Sequence, residues 1–269
     1  MTAPTPLPSP PQNDLERFYT RLAATGDGPL LHKWAHYFAV YDRHLARYRG
    51  TDVHFVEVGV SHGGSLAMWR DYLGPDAVLY GVDVNPECRQ FEKPGGPADR
   101  VFIGDQADRA FLRRLRSELP RVDVLLDDGG HTMDQQVRTF EELYGALSED
   151  GVYLCEDLHT SYWRDWGGGL RRRGTFVEMA KGLIDDLNGH HSARVAARGG
   201  TAFASTTDSL HFYDSVLVIE RGARGRPQEV RAGRPTLSPG SAPHHLPAWR
   251  RRVRALRRRL GVPARERGG

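Results

Sequence analysis

The chain has 269 residues, 39% of them apolar, enough to bury one full core, and its two cysteines are too few for a disulfide framework or a cysteine-ligated metal. It shows neither a signal-like start nor an apolar stretch long enough to cross a bilayer, which sets aside a secreted or membrane-spanning protein and points to a cytoplasmic setting. The formal charge of +3 conceals an asymmetry: Arg221 to Gly269 holds 14 arginines and 2 acids, a net of +12, and leaves −9 on the 220 residues before it.

Residues 1–13 are proline-rich and polar and are expected to form a disordered leader. Residues 14–50 read as a helical region, Leu15 to Tyr48, in which Trp34, Tyr37, Phe38 and Tyr41 recur at helical spacing as a packing stripe. The main domain is expected over 51–221. Short apolar runs near His54–Val58, Val78–Asp83, Val101–Gly104, Val122–Leu126 and Val152–Cys155 are bounded by polar and glycine residues, as buried parallel strands are. Amphipathic stretches over Ser65–Leu73, Arg109–Leu119 and Met133–Leu147 separate them, and Thr175–Leu187 reads as one more helix. Ser209–Tyr213 and Val216–Glu220 flank Asp214-Ser215 and read as two final strands joined by a tight turn, antiparallel to each other. The fold class is therefore α/β, a doubly wound, mostly parallel seven-stranded sheet with a helical N-terminal cover. Residues 222–269 form a basic tail rich in Arg, Pro and Gly, expected to be disordered apart from a possible short helix over Ala248–Leu260.

The segment Phe55-Val-Glu-Val-Gly-Val-Ser-His-Gly-Gly-Ser65 is a strand running through a glycine-rich turn into a helix, with Ser65 placed to cap that helix. Its spacing departs from the dinucleotide fingerprint G-x-G-x-x-G, which argues against a tight pyrophosphate cradle. Asp83, ending the second strand, is placed to hold ribose hydroxyls, and Asp105, ending the third, to reach an adenine edge. A ligand with ribose and adenine but no phosphate is S-adenosylmethionine. The pattern Glu57-x-Gly59, then Gly63-Gly64, then an acid after the second strand, resembles the class I S-adenosylmethionine-dependent methyltransferases. The expected cofactor set is Glu57, Gly59, Gly63, Gly64, Ser65, Asp83, Asp105 and Asp127.

Two further clusters sit where strands give way to turns: Asp127-Asp-Gly-Gly-His131 and Glu156-Asp157. Asp128, Glu156 and Asp157 are hard oxygen donors suited to Mg²⁺ or Mn²⁺. His131, one short turn past Asp128, is the residue placed to take a proton from an acceptor hydroxyl. Asp127-Asp-Gly-Gly-His131 together with Glu156-Asp-Leu-His-Thr-Ser-Tyr-Trp163 resembles the motif pair of the metal-dependent sugar O-methyltransferases of antibiotic biosynthesis, of the mycinamicin 2''-O-methyltransferase and rhamnosyl O-methyltransferase type, a grouping that includes cephalosporin hydroxylase-like chains. The resemblance runs from about Lys33 to Glu220. It implies metal ligation by Asp128, Glu156 and Asp157, catalysis by His131, and a sugar or glycosylated natural product as the acceptor.

Two departures stand out: Gly130 replaces a serine common in the first motif, and macrolide-type members carry a large N-terminal auxiliary domain where this chain has about fifty residues before its first strand. A homo-oligomer is expected. Tyr162, Trp163 and Trp166 precede Gly167-Gly-Gly169, a pattern that fits a lid stacking on a sugar ring and equally a packed loop. The competing reading is an RNA-directed methyltransferase or nucleic-acid-binding protein that uses the basic tail; the acidic body speaks against it, and no dedicated membrane contact is expected. A non-haem iron oxygenase would require two histidines and one carboxylate, against three acids and one histidine here.

Overall fold

The computed structural model describes residues 4–234 and 236. Seven strands, β1 (His54–Val58), β2 (Val78–Asp83), β3 (Arg100–Ile103), β4 (Val124–Asp127), β5 (Val152–Cys155), β6 (Thr207–Tyr213) and β7 (Val216–Arg221), make one sheet in the order β3-β2-β1-β4-β5-β7-β6. The pairs from β3 to β5 are parallel, β7 runs antiparallel to β5, and β6 runs antiparallel to β7. The strand order reverses between β1 and β4, so the crevice that open α/β sheets use for ligands lies beyond Val58 and Asp127.

Both faces of the sheet are covered, which is why β4 and β5 are buried at every position and read as apolar runs, β4 up to its last residue, Asp127. On one face, α4 (Arg109–Glu118), α5 (Met133–Leu143) and α6 (Phe176–Leu187) bring Leu112, Leu115, Phe140 and Phe176 onto Val56, Leu125 and Tyr153. On the other, α1 (Asp14–Thr25), α2 (Tyr37–Leu45) and α3 (Gly64–Leu73) bring Leu15, Phe38, Tyr41 and Trp69 onto Phe55, Val124, Leu126 and Leu154. The two short helices α7 (Ala193–Ala196) and α8 (Gly200–Thr206) lie between α6 and β6.

Three local expectations change. The helical region expected from Leu15 to Tyr48 is two helices separated by an irregular segment, residues 26–36, because Gly26 ends α1 in the left-handed conformation and Gly28, at φ 152°, keeps the chain out of the helical region. Lys33 and Trp34 therefore lie on no helix, and Trp34 stands 55% exposed instead of joining the packing stripe. Helix α5 closes at Leu143 and tightens into a 3₁₀ turn over Tyr144–Ala146, short of the expected Leu147. Ser65 is not the cap of α3; it lies inside the first turn, and Gly63, at φ 77°, holds the cap position.

Residues 4–13 contain no helix or strand; Leu7 packs against the aromatic core of the N-terminal helices, and the Asn13 side chain caps α1 by accepting from the Glu16 amide at 2.9 Å. The chain divides into two units between Pro227 and Gln228, six residues past the end of β7. The basic helix expected over Ala248–Leu260 lies outside the described residues. No helix among the described residues is long and apolar enough to cross a membrane.

Candidate active site

The glycine loop between β1 and α3 is pressed between two other segments. A Cβ on Gly59, at φ 97°, would lie 2.0 Å from the Asp128 carbonyl oxygen, and one on Gly64 would lie 2.3 Å from that of Leu30. Only glycine permits both approaches. Asp83 holds the loop from the next strand: one oxygen accepts the amides of Val60 and Ser61 at 2.9 Å each, and the other accepts Asn85 at 2.8 Å. Asp105 is exposed and accepts the Ala107 amide at 2.7 Å.

Two cavities, of about 220 and 400 Å³, share Gly59, Ser61, Asp128 and Gly129 as lining. The larger reaches Asp83 and Asp105, and the smaller reaches Lys33, Gly64, Ser65, His131 and Asp157. Loop and strand ends thus form one cleft, and most of the expected cofactor positions are on its wall. Gly63 is not among the lining residues, and two expected acids stand behind the wall. Glu57 is fully buried, its Oε1 accepting Trp69 Nε1 at 3.3 Å and its Oε2 without a partner. Burial, eased by the Lys33 charge, pushes its carboxyl up to about 7. Asp127 is also fully buried, accepts Gln106 Nε2 at 2.5 Å, and is pushed up to about 7 by burial against the pull of the Gly129 amide and Gln106.

The acid cluster assembles at the carboxyl ends of β4 and β5, and its geometry divides the expected metal set. Lys33, whose side chain is 2% exposed, donates to Asp128 and to both oxygens of Glu156, at 3.1 and 3.0 Å for the latter pair. Glu156 also accepts the Tyr41 hydroxyl, and its carbonyl accepts Gln136 Nε2 at 2.8 Å. Burial alone would lower the lysine's pKa, but the charges of Asp128, Glu156 and Glu57 outweigh it and hold the ammonium protonated. Asp157 turns the other way, at φ 53°, and accepts the Tyr37 hydroxyl at 2.7 Å. His131 Nε2 lies 3.4 Å from Asp157 and 3.9 Å from Asp128. Asp128, His131 and Asp157 each offer one ligand atom, all within 4.8 Å of one another, whereas Glu156 is tied to Lys33 and Tyr41.

This donor set fits a hard divalent cation. Three carboxylates face one internal ammonium, so the cluster holds uncompensated negative charge where its oxygens converge. Ser61, His131 and Asp157 all take left-handed backbone conformations without being glycine, and all three line the smaller cavity. Strain of this kind gathers at functional sites, where the surrounding structure sustains it.

Beside the cluster, Trp34, His159 and Trp163 form an edge-on aromatic series, with ring centroids 5.9 and 4.5 Å apart. A groove of about 600 Å³ runs on from His159 and Tyr162 along Val177, Ile184 and Phe212. Reading the sequence missed Lys33, Tyr37, Tyr41 and Gln106 as parts of the site. Tyr37 and Tyr41 were visible only as a packing stripe, four residues apart on α2, yet both hydroxyls reach the acids.

The family model of a methyltransferase domain matches residues 56–158. The chain carries a domain of this methyltransferase family. The matched span of the methyltransferase domain begins in β1 and ends just past Asp157, so it contains the glycine loop, Asp83, Asp105 and every acid of the cluster, but not Lys33. Among relatives, 8-demethyl-8-alpha-L-rhamnosyl tetracenomycin-C 2'-O-methyltransferase of Streptomyces olivaceus is 34% identical over 70% of this chain and 50% of its own length. Mycinamicin VI 2''-O-methyltransferase of Micromonospora griseorubida is 32% identical over 68% of this chain and 47% of its own. The chain thus spans about half the length of the curated relatives it matches. Among solved structures, the MycE methyltransferase of the mycinamycin pathway, in complex with Mg, S-adenosylhomocysteine and mycinamycin VI, superposes with a TM-score of 0.66 at 28% identity, covering 78% of this chain and 54% of that one. The seven-stranded mixed sheet of the methyltransferase domain is of the same fold.

Proposed function

We propose that this chain transfers the methyl group of S-adenosylmethionine to a hydroxyl of a sugar on a glycosylated small molecule, with Mg²⁺ or Mn²⁺ bound at the acid cluster. The observation that carries this reading is the placement of Asp128, His131 and Asp157 on the wall of the cleft formed by Gly59, Ser61 and Asp83. A methyl acceptor in that cleft meets a proton acceptor and an anionic cluster together. The relatives named above, one named for a rhamnosyl tetracenomycin-C and one for mycinamicin VI, support the acceptor class.

The roles divide by position. Asp83 fixes the loop through the two amides that Oδ2 accepts, and Oδ1, which accepts only the Asn85 amide, keeps a lone pair for a ribose hydroxyl. His131 takes the acceptor's proton at Nε2, and Asp128 and Asp157 stabilise the imidazolium so formed. Asp128 and Asp157, with Glu156 behind them, would hold the cation, which when bound stabilises a developing alkoxide. Trp34, Tyr162 and Trp163 offer apolar faces to a sugar ring at the mouth of the cleft. The rate gain is assigned mainly to orientation and to exclusion of water. No feature of the cleft favours RNA, since its charged wall is predominantly acidic.

The test is transfer of label from methyl-labelled S-adenosylmethionine to a panel of glycosylated small molecules and to RNA, with Mg²⁺ and with EDTA. Label on a glycoside that disappears with EDTA is the expected result. Label on RNA, or transfer indifferent to chelation, overturns the reading.

A further inference from the structure

The sheet edge formed by β6 and β7 carries a second cluster of potential ligands, far from the cleft in register. Glu220 on β7 pairs with Val152, the first residue of β5, whereas Glu156 follows the last. His44 on α2, His211 on β6 and Glu220 each offer one ligand atom, all within 4.8 Å of one another. The histidine rings are 4.7 Å apart.

We propose that His44, His211 and Glu220 form a binding site for a first-row divalent transition ion, Zn²⁺ above all, that ties α2 to the β6–β7 edge. Two imidazoles and one carboxylate are the mixed nitrogen and oxygen set such ions take, unlike the nearly all-oxygen cluster of the cleft. The outer contacts are those of a ligating histidine, whose second nitrogen is usually held by a neighbour. Tyr213 Oη lies 2.8 Å from His44 Nε2, and Ser209 Oγ lies 2.9 Å from His211 Nε2. Both Nδ1 atoms are thereby left for an ion.

The adjustment needed is small. His44 Nδ1 and Glu220 Oε1 now share a proton at 2.5 Å. Ligand atoms around a tetrahedral Zn²⁺ stand about 3.4 Å apart, so this pair opens by roughly an ångström. The proton moves from Nδ1 to Nε2, where Tyr213 accepts it, so His44 binds as the neutral imidazole. Arg47 Nη1, 3.7 Å from Glu220 Oε2, is the one arginine or lysine among the described residues that pairs with this carboxylate, and the ion takes over its role. The Glu220 side chain is 22% exposed and His211 is half-buried, so an ion can enter, and a water completes the fourth position.

The test is titration of the full chain with Co²⁺, whose visible bands report four-coordinate sites, followed by displacement with Zn²⁺. The Asp128→Asn, Asp157→Asn double variant strips the cleft cluster of both carboxylates that would hold an ion and should still bind one equivalent. In that background, His211→Ala or Glu220→Gln should weaken binding at least ~10-fold, because losing a ligand exceeds the loss on removing an outer partner. Glu220→Gln preserves shape and keeps the test decisive if His211→Ala does not fold. His244→Ala with His245→Ala controls for the tail histidines. Binding unchanged in both ligand variants, or lost with the tail pair, overturns the proposal, and neither result bears on methyl transfer.

Discussion

Lys33 is the residue that most changes how the acid cluster is understood. Its ammonium is buried against Asp128 and Glu156, 95 and 123 positions away in sequence. Replacing it with methionine leaves two carboxylates facing each other without a counter-charge. Breaking a buried pair by removing one partner costs about 3–5 kcal/mol. Lys33→Met should therefore melt well below wild type in EDTA and recover much of the difference when Mg²⁺ is added; identical melting curves with and without the ion would disprove the charge argument. Glu57 poses the opposite case. Its folded carboxyl is pushed up to about 7 from an ordinary 4.5, so it favours the fold below the ordinary value and loses that preference as pH rises through about 7. Thermal melts of wild type should fall across this window more steeply than those of Glu57→Gln, which has no proton to lose. The acid cluster itself was legible in the sequence because Asp128, Glu156 and Asp157 end apolar runs. Their partners were not, since Lys33 and the two tyrosine hydroxyls come from a segment whose local pattern says only that it is aromatic and polar.

At the level of elements, the glycine loop is the tightest point of the design. A methyl group at Gly59 meets the Asp128 backbone and demands a left-handed conformation as well, so neither side-chain rotation nor a small shift relieves it. Gly59→Ala should abolish S-adenosylmethionine binding by calorimetry and lower the melting temperature, the strained conformation alone costing about 1–3 kcal/mol. The strands were readable from sequence because burial on both faces imposes unbroken apolar runs, three residues in β4 before Asp127 and four in β5. Helix ends were harder to place. The break between α1 and α2 depends on Gly26 adopting a left-handed turn, and the aromatic stripe that follows mimics helix from Trp34 on, three residues before α2 begins. Tertiary demand decides there, because the 26–36 segment must leave the helix to lay Leu30 on Gly64 and Lys33 between the acids.

Over the whole molecule, charge is segregated: the first 220 residues carry −9 and the remainder +12. A chain ending at Pro227 should lose any salt-sensitive retention on RNA while transferring label to small molecules as before, since among the described residues none of the cleft's lining lies beyond that point. Transfer that falls in parallel with RNA retention would tie the tail to the reaction. The 26–36 segment has a wider consequence. It lends Leu30 and Leu31 to the cavity beside the glycine loop and Lys33 to the acids, so one short stretch of chain borders both the place proposed for the cofactor and the place proposed for the ion. Ligands that share a responsive element are thermodynamically linked, and the linkage is reciprocal. Whatever factor a divalent ion imposes on the affinity for S-adenosylmethionine, by shifting Lys33, the cofactor must return to the ion, so neither dissociation constant is a fixed property of this protein until the concentration of the other ligand is given.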